Sequence, residues 1–97
     1  MSITVIIELR VKEGKLGDIH AQFSERLSAT RDKTGNESVN VYETLDDPTS
    51  IVLIEKWQTL NQYEIYLAWR KKRGDFDWLA GLLQCPPRRR FFNNLGI

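Results

Sequence analysis

The chain has 97 residues, 41% hydrophobic and 28% charged, with a formal net charge of +1. This length predicts a single domain over residues 1–97, and the small charge argues against a nucleic-acid or anionic-membrane partner. No apolar run is long enough to span a bilayer, and Cys85 as the one cysteine excludes an intrachain disulfide. The first residues lack the basic end and apolar centre of a signal peptide, so we expect a cytoplasmic protein.

The first strand and first helix are predicted from two different periods. Apolar residues alternate with other residues from Ile3 to Val11, which predicts a strand with one apolar face. Helical spacing follows over residues 15–34, and Gly35 predicts the end of that helix. His20 lies one turn from the first inward position, so we expect it on the apolar side. The predicted inward positions are Leu16, Ile19, Phe23, Leu27 and Thr30.

The next segment predicts a hairpin. Residues 38–45 form a second predicted strand, and the Asp-Asp-Pro-Thr sequence at residues 46–49 predicts a turn. Because the strands on either side are close in sequence, we expect them to pair antiparallel. The predicted inward face of the second strand carries Val39, Val41 and Leu45.

A strand that leads directly into a helix occupies the centre of the chain. The unbroken apolar run at residues 51–54 is typical of a strand covered on both faces, and Trp57 ends it. Thr59, three residues before Gln62, predicts a helix N-cap. The basic run at residues 70–73 suits a solvated helix end. The expected inward face of this helix carries Leu60, Tyr63 and Leu67.

The last segment predicts a short helix over residues 75–84 and a strand over residues 88–94, with Phe91 or Phe92 turned to the core. Prolines at 86 and 87 end the helix. The predicted inward positions of the helix are Phe76, Leu79, Ala80 and Leu83. The order β-α-β-β-α-(α)-β predicts an α+β, ferredoxin-like fold with helices on one face of an antiparallel sheet.

Five short stretches occur in a recognisable order: Ile3-Thr4-Val5-Ile6, Val11-Lys12-Glu13-Gly14-Lys15, Thr34-Gly35, Val41-Tyr42-Glu43 and Glu55-Lys56-Trp57. In this order and spacing the chain resembles the antibiotic biosynthesis monooxygenase (ABM) family over nearly its whole length. The resemblance implies a homodimer whose two sheets pack into a dimeric α+β barrel, with a small pocket between sheet and helices in each subunit. Family members oxygenate quinols or phenols without metal or flavin, degrade heme, or isomerise a phosphorylated sugar derivative.

The chain departs from the family at several functional positions. Many of the family's enzymes have a histidine nine residues after the strand-end tryptophan, and Tyr66 stands there in this chain. The heme-degrading branch has an asparagine, a tryptophan and a histidine where this chain has Ile7, Tyr66 and the Phe76-Asp77 pair. These departures from the heme-degrading branch disfavour heme degradation.

Two residues are candidate catalytic groups. His20 is the only histidine, and imidazole commonly moves protons near neutral pH, although a partly buried helix histidine with one hydrogen bond is the simpler explanation. The Tyr66 phenol can donate a hydrogen bond to a developing oxyanion, or can serve only as an aromatic packing residue. The expected wall of the substrate pocket is formed by Phe23, Trp57, Tyr63 and Phe76; Trp57 is also explained as a core residue.

Other polar groups suggest weaker alternatives. Glu43 and Glu55 share the parity of apolar neighbours, but one histidine and one cysteine leave no further ligands for a metal, so we expect salt bridges and no metal site. The basic clusters at residues 70–73 and 88–90 are expected to be solvated, with an anionic substrate or RNA as the alternative. RNA recognition motifs share this element order, but the third strand here has aliphatic residues in place of stacking rings, which disfavours RNA.

These observations together lead to two expectations of function. The first is a cofactor-independent monooxygenase that oxidises a small aromatic quinol or phenol with O2, with His20 as base and Tyr66 as oxyanion donor. The alternative is a dimeric small-molecule binding or isomerising protein of the same fold that has lost the usual histidine.

Overall fold

The computed structural model describes residues 2–97 and confirms the predicted order of elements. The four strands form one antiparallel sheet in the order β2-β3-β1-β4. Its β1–β3 and β1–β4 registers place Val5 between Glu55 and Phe91. The elements are β1 (Ile3–Arg10), α1 (Leu16–Arg31), β2 (Asn36–Thr44), β3 (Asp47–Trp57), α2 (Leu60–Lys72), α3 (Asp75–Ala80) and β4 (Arg88–Asn93).

The core lies between one face of the sheet and the helices. Every second residue of β1 from Val5 is buried, as the alternation predicts, and β3 buries the residues that share their face. The inward stripe of α1 is also confirmed, because Ile19, Phe23, Leu27 and Thr30 are buried. The stripe covers the sheet because positions three and four apart share one side of a helix.

The β2–β3 hairpin is tighter than predicted. Thr44 pairs with Asp47, so the turn contains only Leu45 and Asp46, and β3 begins where the turn was expected. The prediction of an inward Leu45 was wrong, since it lies at the tip and is fully exposed. Pro48 fits in β3 because the β2–β3 register shifts at this point, so the pairing does not require the backbone N–H that proline lacks.

The start of α2 is capped as predicted, but its inward face differs from the prediction. The Thr59 hydroxyl accepts a hydrogen bond from the Gln62 backbone N–H at 3.2 Å. Leu60 is exposed, and the buried residues are Tyr63, Tyr66 and Arg70. The prediction that Arg70 ends the helix in solvent was therefore wrong.

A short helix covers the end of the core. It spans only Asp75–Ala80 and begins after Gly74, which has a φ of +79°. Leu82 and Leu83 lie beyond it. Leu83 is buried in the core, and its backbone forms an isolated β-bridge with Val11, whereas Ala80 is exposed, contrary to the prediction. Within residues 2–97, no helix combines the length and apolar character needed to cross a membrane.

Candidate functional site

A small cavity lies between the sheet and the helices. Its volume is about 70 Å³, several times the ~10–15 Å³ that one water molecule needs. Strands β1 and β3 supply its apolar floor through Ile7, Leu9 and Leu53. Three helices enclose it, with Phe23 from α1, Tyr66 from α2 and residues of α3. The lining suits a small, mainly apolar molecule, but the volume is below the ~150 Å³ of a cavity that holds benzene, so an aromatic ring enters only if the helices that cover the cavity move outward.

One carboxyl group lies on the floor of this cavity. Glu55 is 2% exposed, and its Oε1 accepts a hydrogen bond from the Trp57 indole N–H at 2.9 Å. Burial raises the pKa of Glu55, and the Trp57 hydrogen bond with the charges of Arg89 and Arg70 offsets this only in part. The carboxyl group is therefore a stronger proton acceptor than a glutamate in water.

A buried phenol stands on the same side of the cavity. The Arg89 guanidinium of β4 donates from Nε to the Tyr63 hydroxyl oxygen at 3.2 Å. Burial raises the pKa of Tyr63 to about 12, with Arg89 acting in the opposite direction. Tyr63 thus keeps its proton over the physiological range, and that hydroxyl proton is available as a hydrogen-bond donor.

A second phenol is held by a polar network. Tyr66 and Thr30 are linked through their hydroxyl oxygens at 2.9 Å, and Arg70 donates from Nε to the Tyr66 oxygen at 3.0 Å. Arg70 also donates to the Thr30 hydroxyl at 2.9 Å. Burial raises the pKa of Tyr66 despite these bonds. The network fixes the ring at the cavity wall and leaves the Tyr66 proton free only when Thr30 is the donor in their shared bond.

The first residue of α3 is attached to the other helices by charge. The Asp75 carboxylate accepts from Arg26 at 2.6 Å and from Arg70 at 2.9 Å. Burial acts to raise the pKa of Asp75, but the hydrogen bonds and charges of the two arginines outweigh it and lower the pKa. Arg26 also lies 4.0 Å from the centre of the Trp78 ring. These contacts hold α3 over the cavity.

The structure brings together four of the six predicted site residues. Phe23, Tyr63, Tyr66 and Phe76 all line the cavity. Trp57 is fully buried and lies behind the wall, with its ring centre 4.9 Å from that of Tyr66. It acts on the site through its hydrogen bond to Glu55 and its ring contacts with Tyr63 and Tyr66.

His20 lies elsewhere. It is exposed, so the prediction that it lies on the apolar side of α1 was wrong. Its position is at the edge of a wider, open hollow of about 560 Å³ between α1 and β2, which is lined also by Arg31, Tyr42 and Glu43. The structure does not bring His20 together with Tyr66. A catalytic role for His20 stays a prediction.

The two glutamates considered from sequence are separated. Glu55 is in the cavity and Glu43 is in the outer hollow, and the expected salt bridge to Glu55 is replaced by the indole hydrogen bond. Sequence reasoning missed Arg70 and Arg89 as site residues. Their only signal was an inward parity on their elements, which the surrounding basic clusters obscured. In the described part of the chain, no three His, Cys, Asp or Glu side chains are grouped to hold a metal.

Comparisons with known proteins agree with this architecture. A family model described as antibiotic biosynthesis monooxygenase matches residues 2–72. No curated protein sequence matches the chain. A conserved protein from Methanosarcina mazei has a similar structure, with a TM-score of 0.89, 17% identity, and coverage of 97% of this chain and 93% of that one. Protein Rv0793 from Mycobacterium tuberculosis gives 0.77 at 20% identity, with 98% and 96% covered. A mutant of SnoaB, a cofactor-independent oxygenase from Streptomyces nogalater, gives 0.84 at 16% identity, with 97% and 93% covered.

Proposed function

Because the chain belongs to the antibiotic biosynthesis monooxygenase family, we propose that it is a cofactor-independent monooxygenase acting on a small aromatic quinol or phenol. The observation that carries the proposal is the cavity itself. It is small and mainly apolar, yet it contains the Glu55 carboxyl and the hydroxyl-bearing residues Tyr63 and Tyr66. Such a lining suits an aromatic ring that carries hydroxyl groups.

The substrate supplies the electrons in this reaction. In the conversion of a phenol to a quinone, a ring C–H is replaced by C=O, and the phenolic O–H becomes a second C=O. One atom of O2 enters the ring and the other leaves as water, so the ring loses four electrons and O2 gains four. The protein's contribution is to hold the ring, exclude water, and transfer protons from the substrate to the oxygen atom that becomes water.

The predicted residues have distinct roles in this proposal. Phe23 and Phe76 hold the substrate ring from α1 and α3. Tyr66 is the oxyanion donor predicted from sequence. Tyr63 is a second donor: its hydroxyl oxygen accepts a hydrogen bond from Arg89, so its hydroxyl proton is available to the substrate. Trp57 supports the wall from behind.

Oxygen uptake tests the proposal. Purified protein is incubated with a panel of hydroquinones, naphthols and anthrones in an oxygen electrode, and product is analysed after turnover under oxygen-18 gas. We expect one O2 consumed per substrate, one labelled atom in the product, and a loss of about 100-fold in kcat for Tyr63→Phe. Absence of uptake across the panel contradicts the proposal.

The variant His20→Ala is the matched test of the outer hollow. His20 keeps its predicted role as base only for a substrate bound in that hollow. Unchanged kcat and KM in His20→Ala, together with a loss in Tyr63→Phe, assign the reaction to the inner cavity. A large loss in His20→Ala alone assigns it to the outer hollow and contradicts the cavity proposal.

A homodimer is part of the proposal. The sheet face opposite the helices carries a group of partly exposed apolar side chains: Ile6, Tyr42, Val52, Ile54 and Phe92. Packing of a second copy against this face would remove its apolar surface from water, which favours association. Light scattering after size exclusion should give a dimer mass for the wild type and a monomer for Ile54→Lys. Ile65→Lys, which changes an exposed α2 residue, is the control and should stay dimeric.

The alternative is a binding or isomerising protein of the same fold. It would turn over or bind its ligand equally well without oxygen, so an anaerobic assay separates it from an oxygenase. A cytoplasmic location and the lack of a nucleic-acid partner stay predictions.

A further inference from the structure

The two carboxyl oxygens of Glu55 differ in their surroundings. Only Oε1 is hydrogen-bonded, to Trp57, and Oε2 has no hydrogen-bond partner among residues 2–97. In the same part of the chain, every side-chain oxygen or nitrogen that is completely buried has a hydrogen-bond partner. An oxygen without a partner, such as Oε2, is therefore not completely buried. Since the residue as a whole is buried, Oε2 must be in contact with open space, and the cavity that Glu55 lines is that space.

The surroundings of Glu55 suit proton transfer. On its two neighbouring strands the cross-strand partners are Val5 and Val39, both apolar and buried. No arginine lies within ion-pair distance of the carboxyl group in the described residues, so its charge is not neutralised by direct contact. The titratable and charged groups that share the cavity are Arg26 from α1, Tyr63, Tyr66 and Arg70 from α2, Asp75 from α3 and Arg89 from β4.

These groups divide into two kinds. Arg26 and Arg70 share the Asp75 carboxylate in one hydrogen-bonded cluster, which occupies both carboxylate oxygens and keeps a net positive charge. Arg89 is bonded to the Tyr63 hydroxyl and not to a carboxylate. Among residues 2–97, Glu55 is therefore the one carboxyl group of the cavity with an oxygen free to meet a ligand.

We propose that Glu55 is the catalytic base that takes the proton from the hydroxyl of a bound phenol or quinol. The inference rests on the proposed function for its substrate class. In the step, the substrate O–H bond breaks, a bond forms between the proton and Oε2, and the electron pair stays on the substrate oxygen as a phenolate. The proton stays on Glu55 until the oxygen atom that is reduced to water takes it.

The electron-rich phenolate is the form that O2 attacks most readily, because a phenolate gives up electrons more easily than a phenol. The raised pKa of Glu55 supports this role, since a stronger base accepts a phenolic proton more readily. Tyr63 and Arg89 would then face the new negative charge with donor groups. Base and oxyanion donors are thus both present around the same small space.

Binding of 4-nitrophenol tests the base without requiring turnover, because its phenol and phenolate forms absorb at different wavelengths. Affinity is measured anaerobically across pH for the wild type, for Glu55→Gln and for Glu43→Gln, a control that changes an exposed glutamate in the outer hollow. Glutamine keeps an oxygen to accept from Trp57 but turns an amide towards the cavity.

We expect the wild type and Glu43→Gln to bind the neutral phenol about tenfold more tightly than the phenolate, because a carboxylate repels the phenolate. Glu55→Gln should lose or reverse this preference. An unchanged preference in Glu55→Gln, or no binding of 4-nitrophenol by the wild type, overturns the proposal.

Turnover gives a second, separate measurement. With an active substrate, Glu55→Gln should lower kcat by ~10²–10⁴-fold and remove the acid limb of the kcat/KM profile, with KM little changed. Oxygen uptake that is unaffected in Glu55→Gln refutes the role of Glu55 while the proposed function stands. The expected 4-nitrophenol preference without oxygen uptake on any substrate refutes the proposed function while the proton acceptor stands.

Discussion

Replacement of Arg70 by alanine should destabilise the fold strongly. Arg70 is 5% exposed, and its guanidinium donates to Tyr66 at 3.0 Å, Asp75 at 2.9 Å, the Arg26 carbonyl at 2.7 Å and Thr30 at 2.9 Å. Arg70→Ala removes all of these donors, although Asp75 keeps its bond from Arg26 and Tyr66 keeps its bond to Thr30. Because Asp75 stays paired, we expect a loss of ~3 kcal/mol in the free energy of unfolding, the lower end of the range for breaking a buried ion pair.

The residue that caps the C-terminus of the same helix offers a matched control. Arg73 approaches the same Asp75 carboxylate at 3.5 Å, but its side chain is 55% exposed, so Arg73→Ala should cost only ~0–1 kcal/mol. Urea unfolding at neutral pH, followed by tryptophan fluorescence, measures both. Equal costs for the two variants would refute the claim that Arg70 is a buried structural group.

Three further predictions concern stability. Gly35→Ala should lower the free energy of unfolding by ~1–2 kcal/mol, because Gly35 has a φ of +91° and a Cβ there would collide with the Gln62 side chain. Gly17→Ala is the control and should be neutral or stabilising, because the space around Gly17 is open. Equal effects of the two variants in thermal unfolding would contradict the argument. Thr59→Ala should cost ~0.5–2 kcal/mol through loss of the α2 cap, and Thr59→Ser should restore most of it. Glu55→Gln should be at least as stable as the wild type at neutral pH. Folding raises the pKa of Glu55, so the folded protein holds this proton to higher pH than the unfolded chain does. The stability of the wild type therefore falls as pH rises from the unfolded pKa through the folded pKa, whereas glutamine does not titrate. Urea midpoints from pH 4 to 8 should show this advantage shrinking towards low pH; a constant difference would contradict it.

The elements with a clear period were predicted well, and the exceptions have physical reasons. The alternation in β1 and the stripe of α1 report directly which side meets the core. Leu45 failed because a two-residue hairpin turn placed it at the tip, and an apolar residue alone does not reveal turn length. The prediction for Arg70 failed because an arginine can be buried when acceptors surround it, and most of those acceptors come from α1 and α3, which local spacing in α2 does not reveal.

The site was predicted in part for the same reason. Tyr63 and Tyr66 are on the inward face of one helix, which spacing can reveal. His20 is at the edge of the α1 stripe, where a side chain one position from Ile19 turns towards the open hollow. Arg89 meets Tyr63 only because β4 returns to pair with β1, and that long-range register is not visible from local spacing.

The measurement that tests the central claim most directly is a crystal structure of the protein soaked anaerobically with a hydroquinone that it turns over. We predict electron density for the ring in the cavity between Phe23 and Phe76, with one hydroxyl within hydrogen-bond distance of Glu55 Oε2. Density for the ring in the outer hollow beside His20, with the inner cavity empty, would contradict the account.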